Sequence, residues 1–495
     1  MLRRYLVPVL ALANFVSAAP AKRTPPPQPQ IRALWVDGFH AGFRSPQECD
    51  QLVADAVAAH LNLLLVQVRR RGDSFYTHSL EPPAEDDAYR PDFDALGYLL
   101  EKAHAAGLRV HAWLNVTPIW RGGPQPPLDP KHVFNLHGLN APGADNWLTQ
   151  TDGGEKHFSV GYFLDPGHPA AVQHIVSVAV NVVRNYPVDG IHLDFIRYPE
   201  AEGSTEAGGS HAGYNPVSVE RFHKRYGGTG QPAANDPQWS AWRREQVTNL
   251  VRRIYLETHA LKPELELSAA LIPWGDAPMR RADWPHAHAY WRVFQDWLNW
   301  LDAGWLDMAV PMNYDVQAKK KTRLYFEHWI ELEKNNKKDR QLAVGLGAYM
   351  NSVPESEAQL RRVAARSSLK RAADGYAIYS YFASSKDSGG ALLAKLAEKP
   401  GATPPLPKRP AAKEGSLAGV SPDTDGATVE ISRKIGNART GKRWSPPIRV
   451  LTDGNGFFGA TRLKPGAYRV KFGDHVLETQ VTAGDVAVLP VPAPR

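Results

Sequence analysis

The sequence predicts an α/β protein: a (β/α)8 TIM barrel with a small immunoglobulin-like β-sandwich behind it. Three observations carry that expectation. Eight short apolar runs alternate with eight helix-type runs between residues 31 and 398; strands alternating with helices make a parallel sheet, and eight such pairs close one. The fourth apolar run, Gly190-Ile-His-Leu-Asp194, ends on a carboxylate, and the carboxyl ends of barrel strands carry the reactive groups of such folds. Beyond a Pro- and Lys-rich stretch, the texture changes to short β-type runs broken by turn signals.

Taken in order, residues 1–19 read as a signal peptide. Arg3 and Arg4 open it, Tyr5 to Val16 form an apolar run, and Val16-Ser-Ala18 is a small-residue cleavage site. The run is too short to span a bilayer, and no later stretch is long enough. The expected product is exported (periplasmic, cell-surface or extracellular), with no transmembrane segment. Residues 20–30 are Pro- and Gln-rich and expected to be disordered. The barrel follows over 31–398. Its strands are expected at Ala33–Val36, Leu63–Val68, Val110–Leu114, Gly190–Asp194, Leu265–Leu271, Met308–Met312, Leu342–Leu346 and Tyr376–Tyr381. Its helices are expected at Pro46–Ala59, Phe93–Ala106, Pro169–Asn185, Trp239–Ala260, Tyr290–Leu301, Thr322–Glu333, Glu355–Ala373 and Gly390–Glu398. Two insertions, Val116–Asp165 and Phe195 to about Pro237, follow strands and so rise at the C-terminal face, where long loops build clefts. They carry Trp120, His132, His137, Trp147, Tyr162, Tyr198, Tyr214 and Tyr226.

Residues 399–414 form a Pro/Lys-rich linker. In 415–495, Thr452-Asp-Gly-Asn-Gly456 is a turn, and Leu463-Lys-Pro-Gly-Ala-Tyr-Arg-Val470 is a turn leading into a strand. The net charge of +7 lies wholly beyond residue 398, where fifteen Lys/Arg meet eight Asp/Glu. That imbalance suits an anionic wall polymer or membrane surface, against the plainer reading of a solvated surface. The linker is expected to let the module swing freely. Cys49 is the only cysteine, which excludes an intramolecular disulfide.

Strand parity sorts the polar residues. Arg109, His111, Trp113 and Asn115 share one face of the third strand, and His192 and Asp194 one face of the fourth. Gln67 with Arg69, and Asn313 with Asp315, do so on the second and sixth. Such a mouth looks like a sugar-binding cleft. Glycosidic cleavage needs one carboxylic acid and one carboxylate flanking the bond. Asp194 is the first candidate and Asp315 the second; Asp37, Asp73 and Asp276 are rivals, and Asp189, at the strand start, belongs to the stability face. Gln67, Arg69, His111, Trp113, Asn115, His192, Arg197, Tyr198, Trp274 and Asn313 are the candidate substrate contacts. Each has a structural alternative: a loop cap for either aspartate, an interior layer for His192, an internal salt bridge for Arg69, core packing for Trp113 and Trp274, and plain exposure for Arg197. No Gly-x-Ser-x-Gly elbow, P-loop, His-Glu-x-x-His or cysteine cluster occurs, so no metal, cofactor or nucleic acid is expected.

Several segments together resemble the glycosyl-hydrolase-like 10 family, whose bacterial members include peptidoglycan glycosidases. They are Ile31-Arg-Ala-Leu-Trp-Val36, Asn62-Leu-Leu-Leu-Val-Gln-Val-Arg69, Gly107-Leu-Arg-Val-His-Ala-Trp-Leu-Asn115, Phe163-Leu-Asp-Pro166, and Asp189-Gly-Ile-His-Leu-Asp194 with Tyr198-Pro199. The resemblance spans about residues 31–385. It implies a TIM-barrel glycosidase with an essential acid at Asp194. In many relatives a second acid follows directly; here Phe195 stands there.

The leading expectation is an exported glycoside hydrolase acting on a cell-envelope, peptidoglycan-like or extracellular polysaccharide. Its partners would be a glycan substrate and an anionic wall polymer. The alternatives are a non-catalytic glycan-binding envelope protein on a decayed barrel, and a carbohydrate deacetylase or lyase. Two carboxylates facing one cleft would favour the first; a bound metal would favour the deacetylase.

Overall fold

A computed structural model describes residues 28–122, 125–409, 411–422, 424–435 and 443–490 of the chain. The expected signal peptide and most of the Pro-rich segment lie outside the described residues. Eight parallel strands close into a barrel: β1 (Ile31–Val36), β2 (Leu63–Arg69), β3 (Arg109–Asn115), β4 (Gly190–Asp194), β5 (Glu266–Leu271), β6 (Met308–Asn313), β7 (Gln341–Gly347) and β8 (Gly375–Tyr379). The ring closes where Ile31 pairs with Gly375. Asp194 ends β4 at the C-terminal rim, as expected.

The surrounding helices are α1 (Pro46–Ala58), α2 (Ala95–Ala105), α3 (Pro169–Asn185), α4 (Pro237–Leu261), α5 (Trp297–Ala303), α6 (Lys320–Asn336), α7 (Val353–Ala364) and α8 (Ala391–Ala397). Their starts follow local chemistry. Ser45, Asp94 and Asp236 accept hydrogen bonds from first-turn amides, and Ser352 with Glu355 forms a reciprocal capping box. Two expected helices differ. Tyr290–Leu301 divides into His288–Trp291 and α5, because Phe294 sits at φ 59° between them. The helix expected to reach Ala373 stops at Ala364. There Ser367 N–H bonds to the Arg371 carbonyl, and Lys370 at φ 60° folds the chain back.

Closure sorts side chains by parity. Leu64, Val66, Val110, Ile191 and Leu267 face the helices in one large core. Ile31, Ala33, Leu63, Leu65, Met308, Val310 and Ala343 fill the barrel interior. The second insertion contains a helix that the sequence reading missed, Pro216–Tyr226, capped by Asn215. Among the described residues, no helix is long and apolar enough to cross a membrane.

The C-terminal part holds β9 (Gly415–Val420), β10 (Thr428–Arg433), β11 (Ile448–Leu451), β12 (Phe457–Leu463), β13 (Gly466–Phe472), β14 (His475–Val481) and β15 (Val486–Val488). They form two sheets, β12-β9-β15 and β11-β10-β13-β14, around Leu417, Val429, Ile431, Phe458, Val470 and Phe472.

The expected swinging linker is a correction. Residues 404–409 are bonded under the barrel floor: the Pro405 carbonyl accepts from Gln30 N–H, and the Pro404 carbonyl from Asn62 Nδ2, both at 3.0 Å. Leu406 packs against the interior cluster, and Arg409 pairs with buried Asp307. The sheets are anchored as well. Ala418 and Phe457 join the barrel's outer core, and Arg221 meets Asp425 at 2.7 Å. Arg462 bonds the Asp302 carbonyl and Asp339. Such apolar and buried ionic contacts make the C-terminal part a buttress. Truncation after residue 398 should therefore lower the melting temperature by roughly 10 °C or more. A thermal melt matching the full chain's would show the barrel to be autonomous.

Candidate active site

A cavity of about 600 Å³ opens at the C-terminal mouth of the barrel. Seven of the residues expected there line it: Gln67, Trp113, Asn115, Asp194, Arg197, Trp274 and Asp315. Trp35, Phe39, Arg71, Phe195, Tyr314, Tyr349 and Tyr379 also line it and were not anticipated. Trp35 and Tyr379 were legible by parity on β1 and β8. Arg71 and Tyr349 lie past strand ends, where no period applies. The aromatic rings form a wall, with Trp35 edge-on to Tyr314 and Tyr379.

Asp194 is 7 % exposed. Burial pushes its carboxyl up to about 6, opposed by the Phe195 N–H, the Arg197 charge and the Trp113 indole. The Phe195 N–H donates to Oδ1 at 2.7 Å. Phe195 can do this because it occupies the left-handed region at φ 51°, a costly conformation for a bulky residue. Thr117 pins the turn by donating to the Phe195 carbonyl. Asp315 differs. Two successive three-residue turns, Tyr314 N–H to Met312 O and Asp315 N–H to Asn313 O, swing it into the cavity after β6 ends. Its backbone carbonyl is fixed by Asn351 and Gln359. Burial alone pushes its carboxyl up to about 7.

Arg197 lies between the Phe195 and Trp274 rings, 4.6 and 5.1 Å from their centroids. Arg71 lies over Phe39 at 4.7 Å. Burial lowers both guanidinium pKa values to about 10, so both stay charged at neutral pH. Among the described residues neither forms an ion pair with a carboxylate. Among the described residues, the Arg197 guanidinium makes one hydrogen bond, to the Tyr198 backbone carbonyl at 3.4 Å.

Five expected contacts lie elsewhere. Arg69 is taken by a buried fork to Glu81, Nε to Oε2 at 2.6 Å and Nη2 to Oε1 at 2.7 Å, because a register shift after Gln67 turns it under the loop. His192 is an interior-layer residue: its Nε2 accepts from Trp35 Nε1 at 3.0 Å, and its Nδ1 meets Ser268 Oγ at 2.9 Å. Burial, then the neighbouring His111, holds it well below the usual imidazole range. His111 shares Ser268 and faces Glu266, deeper still. Tyr198 donates its hydroxyl to Asp165 beneath the loop. Asn313 points outward, because Met308, Val310 and Met312 hold the inward parity of β6; it bonds Glu333 on α6 instead. Asn115 reaches the cavity but is occupied by Trp113 Nε1 and the Arg70 carbonyl. The rivals Asp37, Asp73 and Asp276 are bound to His40, Arg70 and His328, and none lines the cavity. Asp189 sits at the opposite rim, bonded to Val110 N–H and His104. The aromatic residues of the insertions mostly pack on one another, as in the stack of His137 on Trp147. Among the described residues, no group of three or more His, Cys, Asp and Glu is placed to hold a metal ion.

Comparison with known proteins adds the following. The sequence profile of the family described as Glycosyl hydrolase-like 10 matches residues 30–362. Glycosyl hydrolase DigH of Escherichia coli O6:H1 is 25 % identical over 314 residues, covering 59 % of this chain and 64 % of its own. This chain thus spans about 64 % of that relative's length. Glycosyl hydrolase YngK of Bacillus subtilis is 23 % identical over 469 residues, covering 88 % of this chain and 86 % of its own. Among solved structures, the PgaB (BpsB) glycoside hydrolase domain from Bordetella bronchiseptica has a TM-score of 0.53 at 16 % identity. It is covered completely and covers 77 % of this chain. This last likeness is one of fold.

Arg69 and Glu81 brace the floor of the site. Burial alone would raise Glu81, but Arg69 and His174 hold it at about 2. Arg69→Met leaves that carboxylate buried with His174 alone. It should cost roughly 3–5 kcal/mol in a urea denaturation series, and a loss under about 1 kcal/mol would show the fork to be dispensable.

Proposed function

Since this chain belongs to the glycosyl hydrolase-like 10 family, whose members are glycosidase-like TIM barrels, we propose that it is a glycoside hydrolase acting on a carboxylate-bearing, peptidoglycan-like glycan of the cell envelope. One observation carries the reading: Asp194 and Asp315 share one aromatic-lined cavity, both raised by burial, and of the two Asp194 has the donors that favour its charged form. Asp194 has donors that favour its charged form, so it is the carboxylate. Asp315 has none, so it keeps its proton near neutrality and protonates the leaving oxygen. Such a division of roles is what cleavage through an oxocarbenium-like state requires. The aromatic wall offers faces for sugar rings, and the Arg71 charge, which forms no ion pair among the described residues, favours an anionic group on the substrate. The basic C-terminal surface is read, in the same proposal, as a contact for an anionic wall polymer. Export follows from the N-terminal signal-peptide pattern.

Purified protein incubated with glycan strands, with and without stem peptides, and read by mass spectrometry tests the activity. Asp194→Asn should fold normally and lose turnover by three or more orders of magnitude, roughly; Asp315→Asn should lose about two. Either variant turning over at the wild-type rate would remove that residue from the mechanism. Activity should fall below about pH 6 as Asp194 takes a proton, and above about pH 7 as Asp315 loses one.

Arg71→Met should raise KM for carboxylate-bearing strands about tenfold or more, the worth of one charge-assisted hydrogen bond. It should leave KM for carboxyl-reduced strands unchanged. An equal change on both substrates would show that Arg71 does not read the anionic group.

A further inference from the structure

Behind Asp315, the interface of β6 with α6 holds a buried carboxyl that the proposed chemistry does not use. Glu333 is 2 % exposed and Asn313 fully buried. Asn313 Nδ2 donates to Glu333 Oε2 at 3.0 Å. Among the described residues, the two remaining polar atoms of the pair, Asn313 Oδ1 and Glu333 Oε1, have no partner. Both are acceptors if Glu333 is ionised, so an ionised pair leaves two buried acceptors without a donor. A proton on Oε1 changes this. A carboxylic acid and a primary amide can bond reciprocally, N–H to one oxygen and O–H to the other, which satisfies every atom of the pair.

We propose that Glu333 is a neutral carboxylic acid locked in a reciprocal pair with Asn313, and that it is a positioning residue for Asp315. Asn313 is the last residue of β6, and its carbonyl accepts the Asp315 N–H in the turn that aims Asp315 into the cavity. Holding the Asn313 side chain therefore holds the base of that turn. Neutrality also keeps a second negative charge away from Asp315.

The charged groups around Glu333 agree. Burial pushes its carboxyl up to about 8; Asn313 and Lys334 pull down, and Asp315 pushes up. Lys334 on α6 turns its ammonium away, to the Arg362 and Ala365 carbonyls of α7 and its end. The Arg362 guanidinium is engaged by Glu327 and Gln317. Among the described residues, no cation reaches the orphaned Oε1.

The positioning role rests on the hydrolase reading, but the protonation state does not, and the two are tested separately. Melting of the full chain and of Glu333→Gln is followed from about pH 5 to about pH 9. Glutamine keeps the reciprocal geometry and cannot titrate. Glu333 binds its proton more tightly folded than unfolded. Its stabilisation is therefore complete below the unfolded pKa near 4.5 and is lost as pH rises through about 8. Over that range the wild-type unfolding constant should rise a few hundredfold, roughly, relative to the variant's; Asp194 titrates in both proteins, and repeating the pair in an Asp315→Asn background removes the coupling to Asp315. A ratio that stays flat would mean that Glu333 is already ionised and would overturn the proposal. In the second arm, kcat on peptide-free glycan strands at about pH 6.5 should fall tenfold or more in Glu333→Ala and be rescued in Glu333→Gln, roughly in line with loss of one positioning contact. Failure of glutamine to rescue, with the melting ratio still shifting, would refute the positioning role while leaving the neutral pair intact.

Discussion

Closing eight strands into a ring sends every second side chain into a space that water does not fill, and the rest of the structure answers that demand. At the floor the answer is apolar, from Ile31, Leu63, Met308 and Ala343. In the middle it is a hydrogen-bonded relay of Trp35, His192, Ser268 and His111. At the top the interior opens into a cavity, and there, among the described residues, Asp194 and Asp315 meet no salt bridge that would hold them charged. Their raised pKa values are thus products of the same closure that makes the core.

The second dependence runs beneath the barrel. A (β/α)8 ring leaves its N-terminal face open unless something covers it. Here the segment after α8 does so, with Leu406 under the interior and Arg409 on Asp307. Asp307 also receives His259 and Arg340, so one buried carboxylate gathers α4, the turn before β7 and the covering segment. The basic residues that looked like a free electrostatic tail are in part bonds to the barrel.

The fold was legible because strands and helices of a barrel are local and periodic. β4 and α3 were placed to the residue, and parity on β3 and β4 set Trp113, Asn115 and Asp194 correctly. What escaped was set by partners distant in sequence. Arg69 has the right parity, but Glu81 claims it across a register shift. Asn313 shares strand parity with Asp315, but on β6 that parity faces α6 and leaves Asn313 on Glu333; the two tight turns after Asn313 bring Asp315 back into the cavity. Phe195 shows the same limit. The sequence identifies the absence of a second acid there, but not that the backbone of Phe195 serves Asp194.

The pairing of Ile31 with Gly375, and of Gln30 with Pro405, makes the first strand wait for nearly the last part of the barrel. Until that distant stretch exists, β1 has one open edge and the interior has no floor. Contacts of such wide separation are slow to form and leave apolar surface exposed meanwhile. The barrel can close only once residues 375–405 are available to receive the first strand. Closure of the ring is therefore a contact of wide sequence separation that forms after the local strand–helix units. The same architecture that buries the site most completely therefore delays it longest.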